Sequence, residues 1–436
     1  MTAPMLTAVG VFLITYVLIA TERFPRQAVA LLGAVALVLL NIFPLQEAFT
    51  FVDWQTMGLL FGMFILIAIL AEAGFFTWLA SQVAARLNYR PAYIFIVFPL
   101  LAASMAAFMD SITVMLFLSA LTLRIAKLIK IDPVPLVVSE VCAANTGGAS
   151  TLVGDPPNVI LGTMLGFNFN DFVIHTGPIA VASAVIITLV FYGFNRAMLK
   201  QAEQEIDVAE LAAIDQSGLI TNPRLLKLGL AGFVTAIFLL VTHSGLSAWL
   251  HLEISTAVAA LVPALLVTMI GGEETRHVMT KIDIESLLFF IGLFILMGAL
   301  EKTHWIRSVA EQIFALAQGN PFGLVMMLQW GAGFTSAVVD NIPMALAMAY
   351  ILKNMAHLPG APALALMVWA LALGVDMGGN MTPVGASPNV VAYAYVEHNY
   401  GKIGWRRWIR MTVPPTILAM LAASVFLYFK YLVGWY

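Results

Sequence analysis

The stretch Gly147-Gly148-Ala149-Ser150-Thr151-Leu152-Val153-Gly154-Asp155-Pro156-Pro157-Asn158-Val159 returns 231 residues later as Gly378-Gly379-Asn380-Met381-Thr382-Pro383-Val384-Gly385-Ala386-Ser387-Pro388-Asn389-Val390. Both read G-G-x-x-T-x-V-G-x-x-P-N-V. A shift of 230 pairs further landmarks without a gap: Asp53 with Asp283, Gly62 with Gly292, Arg90-Pro91 with Asn320-Pro321, and Asp110 with Asp340. Composition alone lets two apolar helices share Leu and Ala, but not glycines, a proline and an asparagine at fixed spacing. The chain reads as an internal duplication, and that reading decides the architecture.

Of the 436 residues, 61% are hydrophobic and 10% charged, with a net charge of −3. An ordinary soluble domain carries about 25% charged residues. Too few polar side chains remain to cover a water-facing surface, which excludes a soluble enzyme, a nucleic-acid binder and a disordered scaffold. The near-neutral charge gives no pull on nucleic acid. The single cysteine, Cys142, allows no internal disulfide and no cysteine-based metal cluster. No H-x-x-x-H, H-E-x-x-H or G-x-S-x-G occurs, which speaks against a zinc site or an intramembrane hydrolase. The expected partner is the lipid bilayer.

The apolar runs are continuous, not alternating, so they predict membrane helices and not a barrel. Full spans are expected at 4–20, 27–45, 54–73, 134–165 (interrupted), 173–195, 226–248, 254–271, 284–301, 362–396 (interrupted) and 412–433. Two further blocks, 91–131 and 321–357, are broken by Asp110 and Asp340 and predict re-entrant helical hairpins. Residues 75–88 and 303–318 predict amphipathic helices leading into them. The fold class is therefore an all-α polytopic membrane protein: a first repeat over 1–197, a cytoplasmic linker over 198–225, and a second repeat over 226–436. Each repeat has about five crossings, one hairpin and one unwound helix, and the odd number of crossings inverts the second repeat. Placing the linker and its sister loops in the cytoplasm puts 17 of the 21 Lys and Arg there, leaving Lys302, Arg307, Lys353 and Lys430 outside. Both termini are then expected outside an inner (plasma) membrane.

Inverted repeats with broken helices and polar hairpin tips describe a secondary transporter with its site near the midplane. Irregular backbone at membrane depth survives only where it is buried or lines a wet cavity. The breaks around Gly154 and Gly385 free backbone groups, while Thr151, Asn158, Thr382, Ser387 and Asn389 add side-chain oxygens. Carboxylates inside a bilayer are costly and imply function; Asp110, Asp155, Asp340 and Asp376 all fall at or beside the breaks. Asp376 aligns with Asn145, so the halves are not chemically equal. Asn145 and Asn380, on the same segments, are counted with the expected substrate and ion site. A capping role for Asp110 and Asp340 stays open beside the ionic one. Glu140, whose partner is Leu371, is a weaker candidate.

These paired motifs, with Asp110-Ser111 and Asp340-Asn341 at the tips, resemble the ion transporter superfamily over nearly the whole chain. The branch is the one with a citrate transporter-like domain, holding arsenite permeases, NhaD-type sodium/proton antiporters and the melanosomal P protein. The resemblance implies a scaffold plus a transport unit, a homodimer, and elevator-like alternating access. By position it assigns Asp110, Ser111, Thr113 and Asn158 to one site and Asp340, Asn341, Thr382 and Asn389 to another, with sodium at Asp110, Asn158, Asp340 and Asn389. Several acids and no arginine in a span core disfavour a di- or tricarboxylate. The expected function is arsenite or antimonite efflux in exchange for protons; sodium/proton antiport and sodium-coupled dicarboxylate or other anion transport are the alternatives. No cofactor is expected beyond a coupling H+ or Na+, and an ATPase partner stays open.

Overall fold

Proline opens many of the helices: Pro91, Pro133, Pro156, Pro223 and Pro321 each occupy the first helical position, where the missing N–H costs nothing and the fixed φ suits the turn. The structure is a computed structural model that describes residues 2–21, 23–205 and 218–436. The middle of the expected linker, 206–217, lies outside the described residues.

Its helices in the first half are α1 (Ala3–Ala20), α2 (Arg26–Leu39), α3 (Leu45–Ala48), α4 (Trp54–Glu72), α5 (Phe75–Arg86), α6 (Pro91–Ala106), α7 (Ser111–Leu128), α8 (Pro133–Gly148), α9 (Pro156–Leu165), α10 (Phe169–His175) and α11 (Gly177–Glu205). The second half holds α12 (Pro223–Leu250), α13 (Thr256–Gly271), α14 (Glu273–Met279), α15 (Ile284–Lys302), α16 (Trp305–Leu316), α17 (Pro321–Ser336), α18 (Asn341–Met355), α19 (Leu364–Gly378), α20 (Ser387–Asn399) and α21 (Trp405–Val433). Among the described residues, 8 helices are long and apolar enough to cross a membrane. The fold is all-helical and polytopic, with α6–α7 and α17–α18 as the two hairpins and with α8/α9 and α19/α20 as the broken helices.

Two expected boundaries shift. The span expected over 27–45 is helical only to Leu39, because Asn41 turns left-handed (φ 55°) and Pro44 cannot continue the turn. At the other end of the first half, α11 runs on to Glu205, past the expected boundary at 197.

The helices sort into two packed groups. In one, α2 lies on α15 and α4 on α13, with α1 and α12 flanking. The two crossings are reciprocal under the 230-residue shift. A Cβ on Gly62 would sit 2.7 Å from the Ala260 carbonyl carbon, and one on Gly292 would sit 2.7 Å from that of Ala30. Only glycine lets the backbones approach this closely. In the other group, α6 packs on α8, α17 on α19, and α11 and α21 close the sides. Here the hairpins exchange between halves: α7 lies on α20 and α18 on α9. The groups meet where α9 touches α4 and α18 touches α15.

Candidate functional site

Each broken helix stops because glycine brings it against a neighbouring backbone. A Cβ at Gly147 would overlap the backbone of Ala103 in α6, and one at Gly378 the backbone of Gly333 in α17. Past the break, Thr151 Oγ1 donates to the Ala107 carbonyl at the first hairpin tip, and Thr382 Oγ1 donates to the Ala337 carbonyl at the second. Gly154 and Gly385 let the chain turn back: a Cβ on either would press on the carbonyls of Ala106 and of Ser336 and Ala337 respectively, at 2.7–3.1 Å. Hairpin tip and unwound segment are thus one rigid substructure, made twice.

The asparagine that opens the return helix completes each turn. Asn158 Nδ2 donates to the Gly148 carbonyl at 2.9 Å and lies 3.4 Å from that of Thr151. Asn389 Nδ2 donates to the carbonyls of Gly379 and Thr382, both at 2.8 Å. The halves then cross. Asn158 Nδ2 donates to Asp376 Oδ2 at 3.1 Å, and Asn145 Nδ2 donates to Asn389 Oδ1 and Asn380 Oδ1, each at 2.8 Å. Asn380 Nδ2 faces Thr146 Oγ1 and the Cys142 carbonyl at 3.3 Å, while its own carbonyl accepts from Trp408 Nε1 at 3.2 Å. Asn145, Asn158, Asp376, Asn380 and Asn389 are fully buried at this crossing. Three oxygens there have no partner: Asn145 Oδ1, Asn158 Oδ1 and Asp376 Oδ1. Buried polar atoms are ordinarily paired, so three unpaired acceptors on the segments that cross here require an explanation.

The tips are unequal. Asp110 caps α7, accepting from Thr113 N at 2.9 Å and from Thr113 Oγ1 at 2.7 Å. Asp340 holds the equivalent position but turns its Oδ2 to Ser387 Oγ, which donates at 3.3 Å, and to Arg26 Nη1 at 3.8 Å. Asn341 Oδ1 accepts from Ser336 Oγ at 2.5 Å. Asp155, in extended backbone before α9, makes no capping bond. It lies across Gly148 from Ser111, a Cβ at Gly148 falling 3.1 Å from Asp155 Cβ and 3.5 Å from Ser111 Oγ. Asp155 interacts electrostatically with Asp110 and Asp340, and Asp376 with Asp155, so the four acids share one neighbourhood.

The expected residues therefore gather, with different pairings. The resemblance groups Asp110 with Asn158 and Asp340 with Asn389 as sodium ligands. In the structure Asp110 bonds Thr113, Asn158 bonds Asp376, Asp340 meets Arg26, and Asn389 bonds Asn145. Among the described residues no three His, Cys, Asp or Glu side chains form a metal-ligand cluster. Thr113, Thr151 and Thr382 spend their hydroxyls on the tips. Glu140 stands apart, accepting from Thr122 Oγ1 at 2.8 Å between α7 and α8. Sequence alone shows no arginine in a span core to offset the acids, yet Arg26, at the start of α2, comes within 3.8 Å of Asp340. The charge count leaves it on a cytoplasmic loop. Its one sequence signal is asymmetry, since the 230-residue shift pairs it with Thr256.

A family model described as "Citrate transporter" matches residues 16–374. A "46 kDa membrane protein" of Mycobacterium leprae is 32% identical over 435 residues, covering 98% of this chain and 99% of that one. An uncharacterised transporter of Mycobacterium tuberculosis is 32% identical over 431 residues, 98% of both chains. The human P protein is 28% identical over 502 residues; the match takes in 96% of this chain but only 59% of the P protein. The crystal structure of the Alcanivorax borkumensis YdaH transporter, described as having an unusual topology, superposes with a TM-score of 0.59 at 13% identity, over 100% of this chain and 99% of that one. This last likeness is one of fold.

Proposed function

The chain belongs to the citrate transporter family and is a multi-pass membrane transporter, and from that premise we propose that it is an ion-coupled secondary transporter whose crossing site binds a cation or a neutral hydroxyl donor. One observation carries this reading: the three unpartnered oxygens of Asn145, Asn158 and Asp376 are all acceptors. The orientation of both amides is determined, because each Nδ2 faces only acceptors. Buried acceptors without partners stabilise a partly dehydrated Na+, a proton, or the O–H groups of a molecule such as arsenous acid. A carboxylate anion needs donors; the two amide oxygens supply none, and Asp376 supplies one only when protonated.

The substrate reading is arsenite or antimonite efflux in exchange for protons carried by the aspartates, with elevator-like movement of the hairpin group against the other group. Sodium/proton antiport is the second reading, since bare oxygens suit Na+ equally. The family description keeps an anion reading in the comparison, and Arg26 supplies the one cation beside the acids among the described residues. The grouping of loops by side gains support from the ion pairs: Lys281 with Glu72, Arg407 with Asp132 and Lys302 with Glu47 each join residues that the charge count puts on one side.

The test is flux into proteoliposomes under an imposed pH gradient, comparing arsenite, antimonite, 22Na+, citrate and succinate. The expected result is gradient-driven, saturable movement of the metalloid acids, or of Na+ on the second reading, with citrate and succinate inert. Citrate or succinate transport without metalloid or Na+ movement would overturn the acceptor-site reading.

A further inference from the structure

Arg26 sits where the two helix groups meet, and it is held from both sides. From the group of α2 and α15, Ser286 Oγ accepts from Nη2 at 3.0 Å, and the guanidinium lies 5.2 Å from the centre of the Phe289 ring one turn further along α15. Ser286 is itself fixed, since Asp283 accepts both its N–H, at 2.9 Å, and its hydroxyl, at 2.5 Å. From the hairpin group, Ser387 Oγ accepts from Nη1 at 3.3 Å, and Asp340 Oδ2 lies 3.8 Å from Nη1. A planar guanidinium with five donors can serve four partners at once, which a lysine cannot.

The other ion pairs among the described residues each stay within one side of this divide. Arg224–Glu274, Lys281–Glu72 and Lys302–Glu47 lie in the α2/α4/α13/α15 group, Arg307–Glu311 lies within α16, and Arg407–Asp132 lies in the hairpin group. Arg26–Asp340 joins the two. It also has no twin. At the first tip the shifted positions hold Thr256 for Arg26, Thr56 for Ser286 and Pro156 for Ser387, and the Thr256 hydroxyl is buried without a partner.

We propose that Arg26 is a latch carried by the α2/α15 group that holds the second hairpin tip and the start of α20 in the arrangement seen here, through Asp340 and Ser387, and that this latch must open each time the hairpin group moves. This rests on the moving-group reading above and assigns it a residue. A cation arriving at Asp340 replaces the guanidinium as the counter-charge, so ion binding and release of the tip become one event. The one-sided placement makes the second tip, and not the first, the point at which binding is coupled to movement.

The experiment reads the distance between the groups without any substrate. Thr56 in α4 and Thr163 in α9 bring their hydroxyls to 2.5 Å across the divide, using no latch residue. In a Cys142→Ser background, Thr56→Cys with Thr163→Cys is crosslinked by mercuric ion in sodium-free buffer, and the rate is compared with that after Arg26→Gln, Asp340→Asn and both together. Each single change is expected to slow crosslinking about fivefold, the scale of a half-buried ion pair, and the double change no further. Arg26→Lys, which keeps the charge but not the fork, is expected in between. If Arg26→Gln does not fold, Ser286→Ala removes only the hydroxyl anchor on α15, leaving the Phe289 contact, and is expected to slow crosslinking about twofold. Parent rates in Arg26→Gln or Ser286→Ala, additive effects in the double variant, or a parent cysteine pair that does not crosslink would overturn the latch. Because no substrate enters the assay, failure of the flux experiment leaves this result standing, and the reverse holds too.

Discussion

Asn158 does two jobs with one amide nitrogen: it ties the unwound segment to itself through Gly148 and joins the halves through Asp376. Asn158→Ala removes both and leaves buried acceptors unmatched, a cost of about 1–3 kcal/mol for each. We expect a lowered melting temperature in detergent together with lost flux. Asp376→Asn separates the jobs, because an amide oxygen still accepts from Asn158 while the ionisable group is gone. Its melting temperature should stay within roughly 2 °C of the parent while pH- or Na+-gradient dependence disappears; retained gradient dependence would remove Asp376 from the coupling machinery. At the first tip, Asp110→Asn should keep the α7 cap, as Asn and Asp cap about equally. Detergent melting therefore reports capping and gradient-driven flux reports charge, and parent-like flux would reduce Asp110 to a cap.

At the scale of elements, the hairpins and broken helices stand on backbone-to-backbone contact. Gly147 meets the backbone of Ala103 and Gly378 that of Gly333, so an added methyl has no flexible side chain to displace. Gly147→Ala and Gly378→Ala should each cost about 1–3 kcal/mol or more through overpacking. Gly193→Ala, in α11 with nothing within 4 Å of the new Cβ, is the control and should melt like the parent. Equal melting of all three would mean that the α6–α8 and α17–α19 crossings have room to relax. The repeat, the helix starts and the hairpin tips were legible in the chain because proline, glycine and aspartate act locally, on the residues beside them. Asp340 shows where local reading ends: its capping position is evident, but its carboxylate is drawn off by Ser387 and Arg26, remote in sequence.

For the whole molecule, the reciprocal packing of α2 on α15 and α4 on α13, and of α7 on α20 and α18 on α9, fits two halves related by a pseudo-twofold axis. Contact between the groups departs from it, with α9 against α4 and α18 against α15. A hairpin group that moves as proposed above would take up one such position against the other group. The inverted arrangement requires the two ends of α11 and α21 to face opposite sides. Single cysteines at Lys200 and Tyr436, both exposed, should label with an impermeant maleimide only from inside and only from outside respectively, in a Cys142→Ser background. Labelling of both from one face would remove the inversion.

The sequence by itself determined that the chain is a duplicated, all-helical membrane protein, where its helices break, and which acids and amides stand at the breaks. Those properties follow from composition and from spacing along one strand of chain, where a shift of 230 or 231 residues makes the repetition visible. Only the tertiary structure decided the pairings. Asn158 meets Asp376 and not Asp110, Asn145 meets Asn389, three acceptors are left without partners, and Arg26 leaves its expected loop for the second tip. Each of the three pairings joins residues more than 200 positions apart, and each is chosen by which helix packs on which. Hydrogen bonds and ion pairs fall off within a few ångströms, so their partners are set by packing across the fold, about which spacing along the chain carries no information.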